Sequence, residues 1–295
     1  MKKKNFEAVQ KKLISLMETE GSNWTKSWVG TSRPTNFMTK KPYRGLNNFW
    51  LSMQGYTSSE WGTWKQWTDK GYKVKDDQKK AYTDIFFSQM REKKEEWLSE
   101  TELARYKATG KLPKYWMWKK YFVYNADQIE NYTSEVVACE PRTELTDDET
   151  LYINNWVANT KAVINHGGGS AFYAPLKDEI TMPNKEAFFS DVDYFSTLLH
   201  ELTHWTGHES RCDRGLSMDK EDYAAEELVA EIGSAMLCNE LQIEKTVRPD
   251  HAQYLNNWIA AITKDEKAMI TAFSKAQKAI DVLEKLQEIK TERAA

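Results

Sequence analysis

Residues 198–208 read LLHELTHWTGH and hold three of the chain's five histidines within eleven positions. His200, Glu201 and His204 form H-E-x-x-H. In a helix, residues four apart differ by about 40° in direction, so two imidazoles at that spacing project from one face toward one ion. Glu201 is turned about 100° from His200. That sets it beside such an ion, where a carboxylate serves as a general base. Val192, Phe195, Leu198, Leu199 and Leu202 keep helical spacing, with Ser190 or Asp191 as the cap and Gly207 as the stop. The pattern predicts a helix over about 192–206.

A catalytic zinc commonly has three protein ligands and one open position. Ser210 stands where the third histidine of H-E-x-x-H-x-x-G-x-x-H would be, and His208 comes two residues too early. His208 is therefore read as a helix-end residue or an outer partner of the ligands. Further along, YAAEELVAEIGSAMLC (223–238) is amphipathic, with Glu227 and Glu231 four apart on a face shared with Ala230 and Ser234. Small residues there let two helices approach. The pattern resembles the gluzincin arrangement, in which a glutamate from a later helix joins the two histidines and an acidic residue one turn on orients a ligand ring. That resemblance assigns Glu227 as ligand and Glu231 as the orienting carboxylate, with Glu226 or Glu231 as alternative ligands. Two imidazoles and a carboxylate suit Zn²⁺, and the same set accepts Mn²⁺ or another divalent ion. The expected chemistry is peptide hydrolysis, with the ion as Lewis acid and Glu201 carrying a proton from water to the leaving amine. The stretch AFYAPLKDEITMP reads either as an ordinary strand or as an edge along which an extended peptide aligns.

Charge divides the chain. Residues 1–131 carry 25 Lys+Arg against 15 Asp+Glu, whereas residues 132–295 carry 16 against 29. Nine of the twelve tryptophans lie in the first part and all five histidines in the second. Binding and chemistry are thus expected in separate domains, 1–131 and 147–295, with the boundary near 131–147. Three widely spaced cysteines, Cys139, Cys212 and Cys238, indicate neither a disulfide framework nor a cysteine zinc knuckle. No stretch approaches the roughly 18 apolar residues of a membrane helix, and charges interrupt the apolar positions after MKKKNFEAVQKK. The expectation is a cytoplasmic protein.

The basic part mixes cations with flat rings. Lys40, Lys41, Tyr43, Arg44, Asn47 and Trp50 lie in NFMTKKPYRGLNNFW, and Trp64, Lys65, Lys73 and Lys75 follow. Phosphate-tracking cations and base-stacking aromatics are what sequence-tolerant binding of single-stranded DNA requires. For locally regular structure, the patterns predict a helix over 5–19, a helix opening at Ser58/Ser59 and closing at Gly71, and strands at YTDIFFSQM and YWMWKKYFVYNADQI flanking a charged helical insertion. Beyond the boundary they predict a helix over 149–159, a small antiparallel sheet in AVINHGGGSAFYAPLKDEITMP, a helix over 223–241 and one long helical tail from 251 to 289.

Taken together, NFMTKKPYRGLNNFWL, WGTWKQW with GYKVK, YFVYNADQIE, AFYAPLKDEITMP, HELTHWTGHESRCDR and YAAEELVAEIGSAML resemble the ArdC-type antirestriction proteins of mobile elements, over nearly the whole chain. The resemblance implies an α+β protein of two domains, a mixed α/β single-stranded-DNA-binding domain and a zincin-like metallopeptidase domain. It implies protection of incoming DNA and a protein or peptide substrate. The alternative is a non-proteolytic single-strand coat protein whose metal is structural.

Overall fold

The computed structural model describes residues 6–25, 33–134, 142–215, 220–246 and 252–293, so Cys139 and His251 lie outside the described residues. In chain order the elements are α1 (Glu7–Glu20), β1 (Thr35–Asn36), α2 (Leu46–Ser52), β2 (Glu60–Gly62), α3 (Trp64–Asp69), β3 (Thr83–Glu92), α4 (Glu100–Thr109) and β4 (Lys114–Asn125). There follow α5 (Asp147–Thr160), β5 (Val163–His166), β6 (Phe172–Ala174), β7 (Glu179–Met182), α6 (Asp191–Trp205), α7 (Lys220–Leu241), α8 (Ala252–Lys264) and α9 (Glu266–Arg293). The mixture is α+β, as expected. No described helix is long and apolar enough to cross a membrane.

The compact units are residues 1–60 with 134–295, and residues 61–133. This division differs from the expected one at 131–147, because the first sixty residues pack with the C-terminal helices. Val9, Leu13, Leu16 and Met17 of α1 are buried, and α1 packs on α8. Phe49 of α2 meets Phe273 of α9 with ring centroids 5.1 Å apart. Gly45, at φ +54°, opens α2 by donating its N–H to Gln277 Oε1 at 2.7 Å. The short helix α2 therefore forms where local composition alone suggests a loop.

In the larger unit α7 is central, packing on α6, α8 and α9. Ser190 caps α6 by accepting from the Asp193 N–H, and Asp191 and Asp193 oppose the helix dipole in its first turn. From Tyr194 to Trp205 every residue of α6 is buried, so the helix is covered on all sides. The sheet is ordered β5-β7-β6, with β5 parallel and β6 antiparallel to β7. It is mixed where an antiparallel sheet was expected, because the chain from β5 crosses through the glycine turn and β6 before β7 returns beside β5. The expected single tail is two helices: Asp265 ends α8 and caps α9, accepting from the Lys267 N–H at 2.9 Å.

Within residues 61–133, β4 is paired antiparallel to β2 through Trp61↔Asn125 and Gly62↔Tyr124, and to β3 from Thr83↔Val123 to Glu92↔Lys114. Trp61, Trp67, Val74, Ile85, Phe86, Val123 and Ile129 form the core. From Phe87 outward the β3 and β4 pair is a two-stranded ribbon on which every β3 residue is exposed. Here the expectation of a helix from Ser58/Ser59 is corrected. Residues 60–62 are strand, and α3 starts only after Thr63, whose side chain accepts from the Gln66 N–H while Gln66 bonds back to the Thr63 N–H. T-x-x-Q is a capping box, and it outweighs the earlier serines.

Candidate metal centre

Helix α6 brings His200 and His204 onto one face, and α7 crosses it with Glu227. The two Nε2 atoms lie 3.1 Å apart, and each stands 3.4 Å from a different oxygen of Glu227. Donor atoms placed tetrahedrally around an ion at roughly 2.0–2.1 Å are separated by about 3.3–3.4 Å. The three groups thus stand close to the spacing of donors around one small divalent cation. Among the described residues they are the one such cluster of three. The close crossing depends on Gly233 of α7, where a Cβ would come within 2.5 Å of Thr203 Cγ2 on α6. Ser234 adds a bond to the Ser196 carbonyl at 3.1 Å.

A carboxylate faces the far nitrogen of each histidine. Glu231 Oε2 lies 3.5 Å from His200 Nδ1, and Glu226 Oε1 lies 3.3 Å from His204 Nδ1. Glu226 thus faces the far side of the His204 ring, and Glu227 is the one that joins the cluster of three. Arg214 holds Glu226 through Nε at 3.0 Å and Nη2 at 2.7 Å, and also donates to Thr206 Oγ1 and the Thr203 carbonyl. Glu231 is flanked by the fully buried Lys245 at 3.5 Å and accepts from Thr25 Oγ1 at 3.4 Å. Neither Arg214 nor Lys245 was singled out in the sequence. Arg214 lay in the quoted HESRCDR stretch, but a lone lysine in QIEKTV gives no sign of burial.

The charges here are demanding. Glu201, Glu226, Glu227 and Glu231 all have little access to solvent, and Arg214 and Lys245 face two of them. Glu227 faces two imidazoles. Burial pulls His204 toward its neutral form, but hydrogen bonds that its ring donates to Glu226 and Glu227 outweigh it and push its pKa up to about 10. Burial likewise raises Glu227, yet His200 and His204 hold it far below the usual carboxylate range. Tyr223, one turn before Glu227, is pushed up by burial and by the charge of that carboxylate. A buried pocket rich in carboxylates is the environment a divalent cation relieves.

The remaining described histidines, His166 and His208, stand apart. His208 Nδ1 pairs with Ser210 Oγ at 2.9 Å beyond the end of α6, and His166 Nε2 with the Tyr194 hydroxyl at 2.8 Å. Several residues expected to meet DNA are internally engaged. Tyr43 and Asn47, both expected at the DNA surface, are buried, with the Tyr43 hydroxyl accepting from Asn36 Nδ2. Trp50 is half-buried. Lys40 pairs with the buried Glu60, Arg44 with Asp281, Lys65 with Asp69 and Lys73 with Glu130, while Lys75 donates to the Asp127 carbonyl. Lys41 is exposed, and of the three named rings Trp64 is the one on the surface.

Residues 151–275 match the model of a zincin-like metallopeptidase family, and residues 3–124 match that of the N-terminal domain of anti-restriction factor ArdC. Fold and site thus define a two-domain protein with a zincin-like C-terminal part. The chain is 31% identical to the antirestriction ArdC protein from plasmid R388 in its metal-free crystal structure, with a TM-score of 0.77 over 96% of this chain and 97% of that one. The Mn(II)-bound structure of that protein gives 30% and 0.75 over the same shares. This chain belongs to the ArdC antirestriction family. It is also 30% identical to the uncharacterized protein y4eC of Sinorhizobium fredii, over 94% of this chain and 90% of that protein. A DNA primase TraC of Escherichia coli matches at 33% over the whole chain, which spans 29% of that primase.

Proposed function

We propose that this antirestriction-family chain binds single-stranded DNA through its N-terminal part, residues 1–131, and hydrolyses peptide bonds of DNA-bound proteins through residues 147–295, in the cytoplasm of a cell receiving mobile-element DNA. The observation that carries the peptidase half is the convergence of His200, His204 and Glu227, with the buried Glu201 following His200 in α6. Zn²⁺ is the metal the donor set favours, with Mn²⁺ as the other choice, since the R388 relative has been crystallised with Mn(II). A cation held by those three side chains supplies Lewis acidity toward a peptide carbonyl. Glu201 takes a proton from the attacking water and delivers it to the leaving amine. Glu231 and Glu226 fix the two imidazole rings from behind. Support for the DNA half comes from the basic, tryptophan-rich composition of residues 1–131 and the family match over residues 3–124.

Glu201→Gln tests the catalytic reading. The amide keeps the shape of the side chain but cannot accept the proton, so cleavage of a protein bound to single-stranded DNA should fall at least about 100-fold. Metal content and DNA affinity should stay near wild type. Unchanged cleavage would remove Glu201 from the mechanism. Protection of incoming DNA that survives in Glu201→Gln would favour the coat-protein alternative.

A further inference from the structure

We propose that single-stranded DNA lies in a shallow groove between α3 and β4 of the 61–133 unit, with bases on Trp64, Tyr82 and Phe122 and phosphates met by Lys65, Lys79 and Lys120. The placement rests on the reading of the chain as a single-strand binder. Of the six residues, sequence pattern pointed to Trp64 and Lys65 alone.

The groove holds about 410 Å³. Its three rings are exposed at 41%, 46% and 45%, in a unit whose Trp61 and Trp67 are fully buried. Tyr82 and Phe122 stand 4.4 Å apart between centroids and form one apolar floor. Trp64 is braced edge-on by Tyr124 at 5.8 Å, and the Tyr124 hydroxyl is tied to the Lys79 carbonyl at 2.9 Å. The rings are therefore held in place before any ligand arrives. Contiguous exposed aromatic surface of this kind marks an interaction site.

Charge selects the occupant. Lys120 Nζ lies 5.7 Å from the Phe122 ring centre, and Lys65 and Lys79 line the same groove. The three lysines pair with Asp69, Asp76 and Asp84 at 2.8, 2.6 and 2.7 Å. The Lys65 and Lys79 pairs are solvent-exposed and contribute little, so those two ammonium groups can exchange a carboxylate for a phosphate, and Lys120, paired with the half-buried Asp84, adds a third cation beside them. Flat faces alternating with cations fit unstacked bases on a phosphate backbone, whereas a duplex keeps its base faces covered. Trp116, on the face of β4 that carries Phe122, continues the track by about 20 Å at roughly 3.3 Å per residue.

The test is fluorescence anisotropy of labelled oligothymidine with the full chain, in wild type, Trp64→Ala, Phe122→Ala, Lys120→Ala and, as a control, Lys107→Ala. Loss of one stacked base should weaken binding by roughly 5- to 150-fold. Lys120→Ala should lower the salt dependence by about 0.7 in the log-log slope. Lys107→Ala on α4 should match wild type. Melting temperatures check that each variant is folded, and mapping of photo-crosslinks from 5-iodouracil strands onto peptides containing Trp64 or Phe122 gives a readout on the unmutated protein. Oligothymidine binding with crosslinks elsewhere and unaltered affinity in the ring variants overturns the placement but leaves single-strand binding standing. Absence of binding by wild type at low salt overturns both. Self-association that the ring substitutions abolish, at unchanged oligonucleotide affinity, would give the groove to a second copy of the chain.

Discussion

At the residue scale the metal site is a problem of protons. In the metal-free protein burial disfavours the imidazolium of His204, but Glu226 and Glu227 favour it by more and push its pKa up to about 10. A folded-state pKa raised above the ordinary 6.5 contributes stability that is fully present below pH 6.5 and is lost as pH rises through about 10. Metal binding must displace that proton. At pH 8 titration of the metal-free protein should therefore release about one proton from His204 per ion bound, measured by calorimetry in two buffers of different ionisation enthalpy. Zero release would mean that His204 is not a ligand or is already neutral. The pair four apart and Glu201 were legible in the sequence because helix geometry fixes their directions. Helix geometry alone did not separate Glu226 from Glu227, since adjacent positions on α7 differ by only about 100°; the resemblance favoured Glu227, the residue that α7 brings to the two histidines.

At the element scale, that crossing turns on one glycine. Gly233 costs α7 about 1 kcal/mol of helix propensity against alanine, yet a methyl group there would meet Thr203 at 2.5 Å. Gly233→Ala should destabilise the protein by about 1–3 kcal/mol in denaturant unfolding, despite its better propensity. It should also weaken metal binding, since Glu227 moves away with α7. A stabilised variant would show that the two helices can part freely. Sequence pattern found the small face of α7 at Ala230 and Ser234 but not the glycine that makes the closest approach. Apolar periodicity found most helices, and it failed where two signals overlapped. The tail reads as one helix because α8 and α9 both carry apolar stripes, and the single aspartate that separates them has no strong breaker beside it.

At the scale of the whole molecule, composition and contact give different divisions of the chain. Charge and tryptophan content separate residues 1–131 from the rest. Packing instead joins residues 1–60 to the metal-site unit, since periodicity reveals that α1 has an apolar face but not which partner covers it. A fragment of residues 134–295 would lose the α1 and α2 contacts on α8 and α9, along with the Thr25 bond to Glu231. Calorimetry should find it melting well below the corresponding transition of the full chain and binding metal more weakly. A fragment equal to the full chain in both would make residues 1–60 dispensable to the site. The central claim is that His200, His204 and Glu227 share one divalent ion. Anomalous diffraction from crystals of this chain grown with Mn²⁺ or Zn²⁺ tests it most directly. A single strong peak should lie at roughly 2.0–2.2 Å from both Nε2 atoms and a Glu227 oxygen. A peak held by other side chains, with these three left aside, would contradict it.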